Sequence, residues 1–237
     1  SGIGKRVSRP VAGKRVSRPV PVGRLSRVVH PPLDPRPRPR QAHRRQALPC
    51  LRRRHHRLYE YEFNRDIVQR IAARLDQEGI AYFITVPEME VGDFLKERVR
   101  RANDHSSELP KRFVSVHANA APAPSSSDWA ETSISGIETW YFHKSARGRQ
   151  MAAVFQRHLI EATSWKNRHL KSRPRSQFYV LQYTRMLAIL TENGFYNNQA
   201  QARDLMNPDI RQKIAEAHVQ AILELESSSD GSSPSDE

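Results

Sequence analysis

RFVSVHANAA at residues 112–121 and MLAILTENGF at 186–195 decide how this chain is read. Each contains a mostly apolar run that gives way abruptly to an ionisable side chain, His117 in the first and Glu192 in the second. Apolar runs of this length between polar flanks indicate buried strands of an α/β sheet. In open sheets of that kind, ligands and reacting groups collect beyond the carboxyl ends of the strands. A carboxylate there is costly to desolvate unless a cation, a metal or hydrogen bonds compensate it. Glu192 is therefore expected to have a task.

The pattern around these two strands is orderly. Over 59–78, Phe63, Ile67, Ile71 and Leu75 recur every four residues beside Val68 and Ala72, and Gly79 follows, which predicts an amphipathic helix with a glycine stop. AYFITV (81–86) reads as a strand, and Phe94, Leu95 and Val99 predict a helix reaching about Ala102. GIETWYF (136–142) reads as another strand. Met151, Val154, Phe155 and Leu159 predict a third helix after Ser145. KNRHLKSRPRSQ (166–177) is expected to be a solvated polar linker, and FYVLQYT (178–184) a strand before the one at 186–191. NNQAQARDLM predicts a short helix. Pro208 stands near the start of a closing helix whose apolar face includes Ile210, Ile214, Ala217, Ala221 and Leu225. Strands alternating with helices argue for a single α/β domain with a mostly parallel or mixed sheet flanked by helices.

The chain has 237 residues, enough for one sizeable domain, and a formal charge of +14. That charge is not spread evenly. Residues 1–57 hold 17 Lys and Arg against the single acid Asp34, whereas the other 180 hold 22 basic and 24 acidic side chains. The basic character belongs to an arm, so it does not mark the folded body as a nucleic-acid binder. In that arm GKRVSRPV occurs at 4–11 and again at 13–20, before the Pro/Arg alternation DPRPRPR and the cluster RRRHHR. High charge, many prolines and few large apolar residues predict disorder over 1–57. The acidic, Ser-rich tail at 226–237 is expected to be disordered as well. The single cysteine, Cys50, permits no intramolecular disulfide. No apolar stretch approaches the ~20 residues of a membrane span, and the basic N-terminus lacks the apolar segment of a secretory signal.

His117 at a strand end, Glu60 opening the first long helix and Glu192 closing another strand would together suit a zinc site with a general base. Catalytic zinc takes His, Glu or Asp ligands and keeps one position for water, whose proton a nearby carboxylate accepts and passes on. Each residue also has an ordinary reading. His117 alone suits a hydrogen-bonded core histidine, Glu60 an acid favoured by the dipole of the first helical turn, and Glu192 a cap on the turn that follows.

VSVHANAA, GIETWYF and LAILTENGFYNN, in this order and followed by a terminal helix, resemble the zinc-dependent N-acetylmuramoyl-L-alanine amidases of the cell-wall amidase type 3 family. The resemblance covers about 58–225. It implies a single α/β domain that cuts the amide between muramic acid and the first L-alanine of the peptidoglycan stem peptide. It also implies Zn2+ held by two histidines and a glutamate, with a further glutamate in catalysis. Carried over by motif, Glu60 in LYEYEFNRDI and His117 in VSVHANA are metal ligands, and Glu192 in LTENGF is catalytic. Glu62 lies only two positions from Glu60. Peptidoglycan is the implied partner and the cell wall the implied place of action; no specific nucleic acid is expected.

The chain departs from the family where the first zinc histidine belongs, in a motif of the form LDPGHG upstream of the first helix. The interval 35–56 reads PRPRPRQAHRRQALPCLRRRHH. Read from their second base, codons for these residues permit LDPGHG, with the histidine codon across Pro39 and Arg40, then KHTAGKRSPVFADGTT leading into LYEYEF. A shift of reading frame accounts for an unfoldable stretch abutting a well-patterned domain. The alternative is a natural basic arm on a divergent domain. Under either account the third ligand is not identifiable. His30, His43, His55 and His56 are available but stand in polar sequence without a rigid scaffold, so impaired zinc binding is expected. Two other functions remain open: a polyanion binder acting through its Arg-rich arm, and a non-catalytic relative that binds the cell wall.

Overall fold

The structure, a computed structural model, describes residues 27–30, 58–88, 93–125, 128–175 and 178–230, with backbone alone for 27–30 and 229–230. Its centre is a six-stranded sheet of β1 (Arg27–His30), β2 (Tyr82–Ile84), β3 (Arg112–Asn119), β4 (Ile137–Tyr141), β5 (Asn167–Lys171) and β6 (Leu187–Phe195). The spatial order is β2-β1-β3-β6-β4-β5. Pairing is parallel from β2 through β6, antiparallel between β6 and β4, and parallel again between β4 and β5. The sheet is therefore mixed.

Among the described residues six helices cover it: α1 (Glu60–Gln77), α2 (Phe94–Asp104), α3 (Ala146–Thr163), α4 (Tyr179–Tyr183), α5 (Gln199–Met206) and α6 (Pro208–Asp230). The alternation of side chains along each strand sorts them between two cores. Val114, Val116, Ile137 and Ile189 pack with the buried stripes of α1, α3 and α6, among them Phe63, Ile67, Phe155, Leu159 and Ile214. Phe113, Ala188, Leu190 and Trp140 point the other way, against Val99 and Ala102 of α2 and Val180 and Leu181 of α4.

The helix ends follow local chemistry. After α1, the Gly79 N–H bonds to Asp76 O and the Ile80 N–H to Leu75 O, closing a Schellman motif. It needs a left-handed residue, and Gly79 supplies it at φ +68°. Ser145 Oγ accepts the Gly148 N–H at the start of α3, and Asn198 Oδ1 accepts those of Ala200 and Gln201 at the start of α5. Pro208 is the first residue of α6, where a missing N–H costs nothing.

Four expectations are revised. FYVLQYT is not a strand; residues 179–183 form the one-turn helix α4, with the Tyr179 and Tyr183 rings 4.4 Å apart at helical spacing. Adjacent Val180 and Leu181 are both buried there. The linker at 166–177 contains β5, whose strand partner among the described residues is β4 alone; polar side chains are usual on such an edge. Within the tail expected to be disordered, 226–230 continue α6, and the Ser227 and Ser228 hydroxyls donate to Glu224 O. Within the arm, Arg27–His30 forms β1 between β2 and β3; the rest of 1–57 lies outside the described residues, as do 231–237.

Candidate active site

β3 and β6 run side by side and in parallel, with His117 in register with Glu192. β4 comes back antiparallel on the far side of β6, with Glu138 in register with Glu192. Residues in register share a face. His117, Glu192 and Glu138 therefore form a row across three strands at the carboxyl rim, on the face that carries α2 and α4. The N-terminus of α1 comes to the same rim and brings Glu60 to His117.

His117 Nδ1 lies 3.0 Å from Glu60 Oε1, and its Nε2 lies 2.9 Å from Ser115 Oγ. A carboxylate only accepts, so Nδ1 donates to Glu60 and Nε2 accepts from the serine hydroxyl in the neutral ring. Glu60 Oε1 also accepts from Asn64 Nδ2, one helical turn on, at 3.2 Å. Asn193 Nδ2 donates to the main-chain oxygen of His117 at 2.9 Å and to Thr191 Oγ1 at 3.1 Å. The chain of bonds continues inward: Thr191 Oγ1 lies 3.0 Å from Nε2 of the fully buried His218, whose Nδ1 donates to Ile214 O. Burial holds the His218 imidazole down at about 4, so it is the neutral partner that this network requires. The strand end bearing His117 is thus tied through β6 to α6.

Glu192 is 8% exposed, and its Oε2 has no hydrogen-bond partner among the described residues. Burial raises its carboxyl well above the usual range, and the charges of Glu60 and Glu138 raise it further. Burial, with the charges of Glu60 and Glu192, raises the Tyr196 hydroxyl and keeps it neutral. A buried carboxyl with raised proton affinity is a candidate for proton transfer.

The donor set suits zinc in part. Imidazole nitrogen and carboxylate oxygen are donors that zinc takes, and 3.0 Å is close to the ~3.3 Å between neighbouring ligands of a tetrahedral zinc. Among the described residues no group of three or more His, Cys, Asp or Glu side chains is placed to hold a metal, so they supply two donors. His43, His55 and His56 lie outside the described residues. So does the side chain of His30, whose backbone ends β1 in register with Ser115. Glu62 is exposed and receives the Tyr61 hydroxyl at 3.1 Å.

Glu138 is the residue that the sequence reading missed. It is 4% exposed and accepts from Asn119 Nδ2, Trp140 Nε1 and Arg168 Nε at 3.0, 3.0 and 2.8 Å. A lone acid inside the apolar run GIETWYF carries the same signal that singled out Glu192.

A mixed α/β sheet with an imidazole and buried carboxylates gathered at its carboxyl rim defines a hydrolase-like α/β domain. The comparisons narrow this class. The family model for N-acetylmuramoyl-L-alanine amidases, Amidase_3, matches residues 52–224, and the chain belongs to that family. It is 30% identical over 176 residues to the protein YqiI of Bacillus subtilis (strain 168), covering 70% of this chain and 73% of that one. It is 29% identical over 162 residues to the N-acetylmuramoyl-L-alanine amidase LytC of the same organism, covering 68% of this chain but 30% of LytC. Among solved structures, the amidase AmiC2 of Nostoc punctiforme superposes with a TM-score of 0.65 at 25% identity, over 85% of this chain and 96% of that one.

Proposed function

We propose that this chain hydrolyses the amide between the lactyl group of N-acetylmuramic acid and the L-alanine of the peptidoglycan stem, at the cell wall. In this reading Glu60 and His117 hold a zinc ion, and Glu192 moves the proton. One observation carries it: His117 Nδ1 sits 3.0 Å from Glu60, and the strand position beside His117 holds a buried carboxyl with an unpartnered oxygen.

Zinc, when bound, would polarise the scissile carbonyl and bring its water into the range of neutral-pH ionisation. The remaining steps belong to this chain. Glu192 Oε2, which has no hydrogen-bond partner among the described residues, accepts the proton of the attacking water and delivers it to the departing alanine nitrogen. The high proton affinity of this carboxyl serves the second transfer. Ser115 orients the His117 ring, and Asn193 holds the strand end from which it projects. With two donors among the described residues, zinc affinity is expected to be weak.

The test is release of L-alanine amino groups from purified peptidoglycan by the full chain supplied with zinc. Loss of that release on chelation and in Glu192→Gln supports the reading. Undiminished release by Glu192→Ala would overturn the role given to Glu192.

A further inference from the structure

Beyond Glu192, the rim row continues outward through Glu138 to Arg168 on the edge strand β5. Two neighbouring groups fix the guanidinium of Arg168. Its Nε donates to Glu138 Oε2 at 2.8 Å, and its Cζ lies over the Phe195 ring, 4.8 Å from the centroid. Glu138 in turn is held on its other oxygen by Asn119 and Trp140. Neutralising Glu138 uses only the Nε side of the group. The two terminal nitrogens, which form the fork that grips a carboxylate, have no acceptor among the described residues. The side chain is 27% exposed, so it is not closed off from solvent. A long cation stacked and bridged in this way keeps little rotational freedom to lose on binding.

We infer that Arg168 is a specificity-determining residue that takes a free carboxylate of the substrate peptide, and that Glu138 is the positioning residue that aims it. This rests on the amidase reading, which puts the scissile amide over Glu192. Arg168 stands about two strand spacings from Glu192, roughly 10 Å at the backbone, and its side chain can reach back across part of that span. In a peptidoglycan stem the second residue is linked through its γ-carboxyl, which leaves its α-carboxylate free. That group lies about two residue lengths, roughly 7 Å, beyond the scissile nitrogen. A fixed guanidinium at this distance distinguishes a D-glutamate in second position from D-isoglutamine, in which the same group is an uncharged carboxamide.

The experiment measures binding of N-acetylmuramyl-L-alanyl-D-glutamate and of its D-isoglutamine analogue to the full chain by NMR titration, with turnover of each followed separately. The free acid should bind about tenfold more tightly, the discrimination expected of one charge-assisted contact at a partly exposed site. Arg168→Gln should remove that preference and leave affinity for the isoglutamine ligand unchanged. If turnover occurs, its effect should fall on KM rather than kcat. The paired variant Glu138→Gln with Arg168→Gln avoids stranding a buried carboxylate and should likewise show no preference. Equal binding of both ligands by the unaltered chain, binding of neither, or an Arg168→Gln loss equal for both ligands would overturn the inference. Discrimination without cleavage would refute the amidase reading alone. Cleavage without discrimination would refute the role of Arg168 alone.

Discussion

Glu192 combines two properties that pull in opposite directions. Its carboxyl is buried, has an oxygen without a partner among the described residues, and faces the charges of Glu60 and Glu138, so ionising it costs folding free energy. Glu192→Gln should therefore lower amidase turnover by a factor of about 10² to 10⁴. The same change should stabilise the metal-free protein by about 1 kcal/mol at neutral pH. A group with a raised folded pKa favours the folded state below the ordinary carboxylate range and loses that advantage as pH rises. The stability gap between variant and parent should thus widen from pH 4 towards neutrality in urea titrations. A constant gap would show that the carboxyl titrates normally. His218 has the opposite sign. Its folded value of about 4 lies below that of a free imidazole, so its neutral form stabilises fully above about pH 6.5. That contribution is lost as pH falls towards 4, by up to roughly 3 kcal/mol. His218→Phe should show a shallower fall in stability between pH 7 and pH 4.5, and an unchanged slope would refute the assignment.

At the scale of elements, legibility followed the length and regularity of the apolar pattern. α1, α3, β3 and β6 bury long periodic runs, and their periodicity is plain in the sequence. α4 has five residues, too few for a helical period to register, so its apolar run imitates a strand. β5 reads as a linker because an edge strand carries few apolar side chains; backbone pairing with β4 holds it in the sheet. Gly136 makes that pairing possible. It has φ +113°, and a Cβ there would stand 2.1 Å from Lys166 O, the same oxygen that accepts the Ile137 N–H. Gly136→Ala should therefore displace the start of β5 and destabilise the protein by more than the ~1 kcal/mol of an ordinary left-handed glycine replacement. Because Arg168 lies in β5, the variant should also lose any preference that Arg168 confers. Thermal unfolding would check the first effect and the ligand titration the second.

For the whole molecule, the decisive asymmetry is that 17 basic residues precede a body of nearly balanced charge. β1 falls inside that basic stretch and stands between β2 and β3, so the stretch cannot be removed whole without opening the sheet. Deletion of residues 1–26 should leave the melting temperature within a degree or two, whereas deletion of 1–57 should lower it by roughly 5 °C or more. Equal melting temperatures would show that β1 contributes nothing to the fold. No helix among the described residues is long and apolar enough to cross a membrane. From the sequence alone came the α/β alternation, the two strands that carry His117 and Glu192 towards their carboxyl ends, and Glu60 as a candidate for the same site. Local periodicity and an acid breaking an apolar run signal the strands and Glu192, whereas Glu60 is read from its place at a helix start and from the family motif. Only the tertiary structure decided the reversed direction of β4, the register that sets Glu138 beside Glu192, and the bridge from Glu138 to Arg168 on an edge strand. These depend on which strands become neighbours, and pairing between residues distant in the chain leaves no period in the sequence to read.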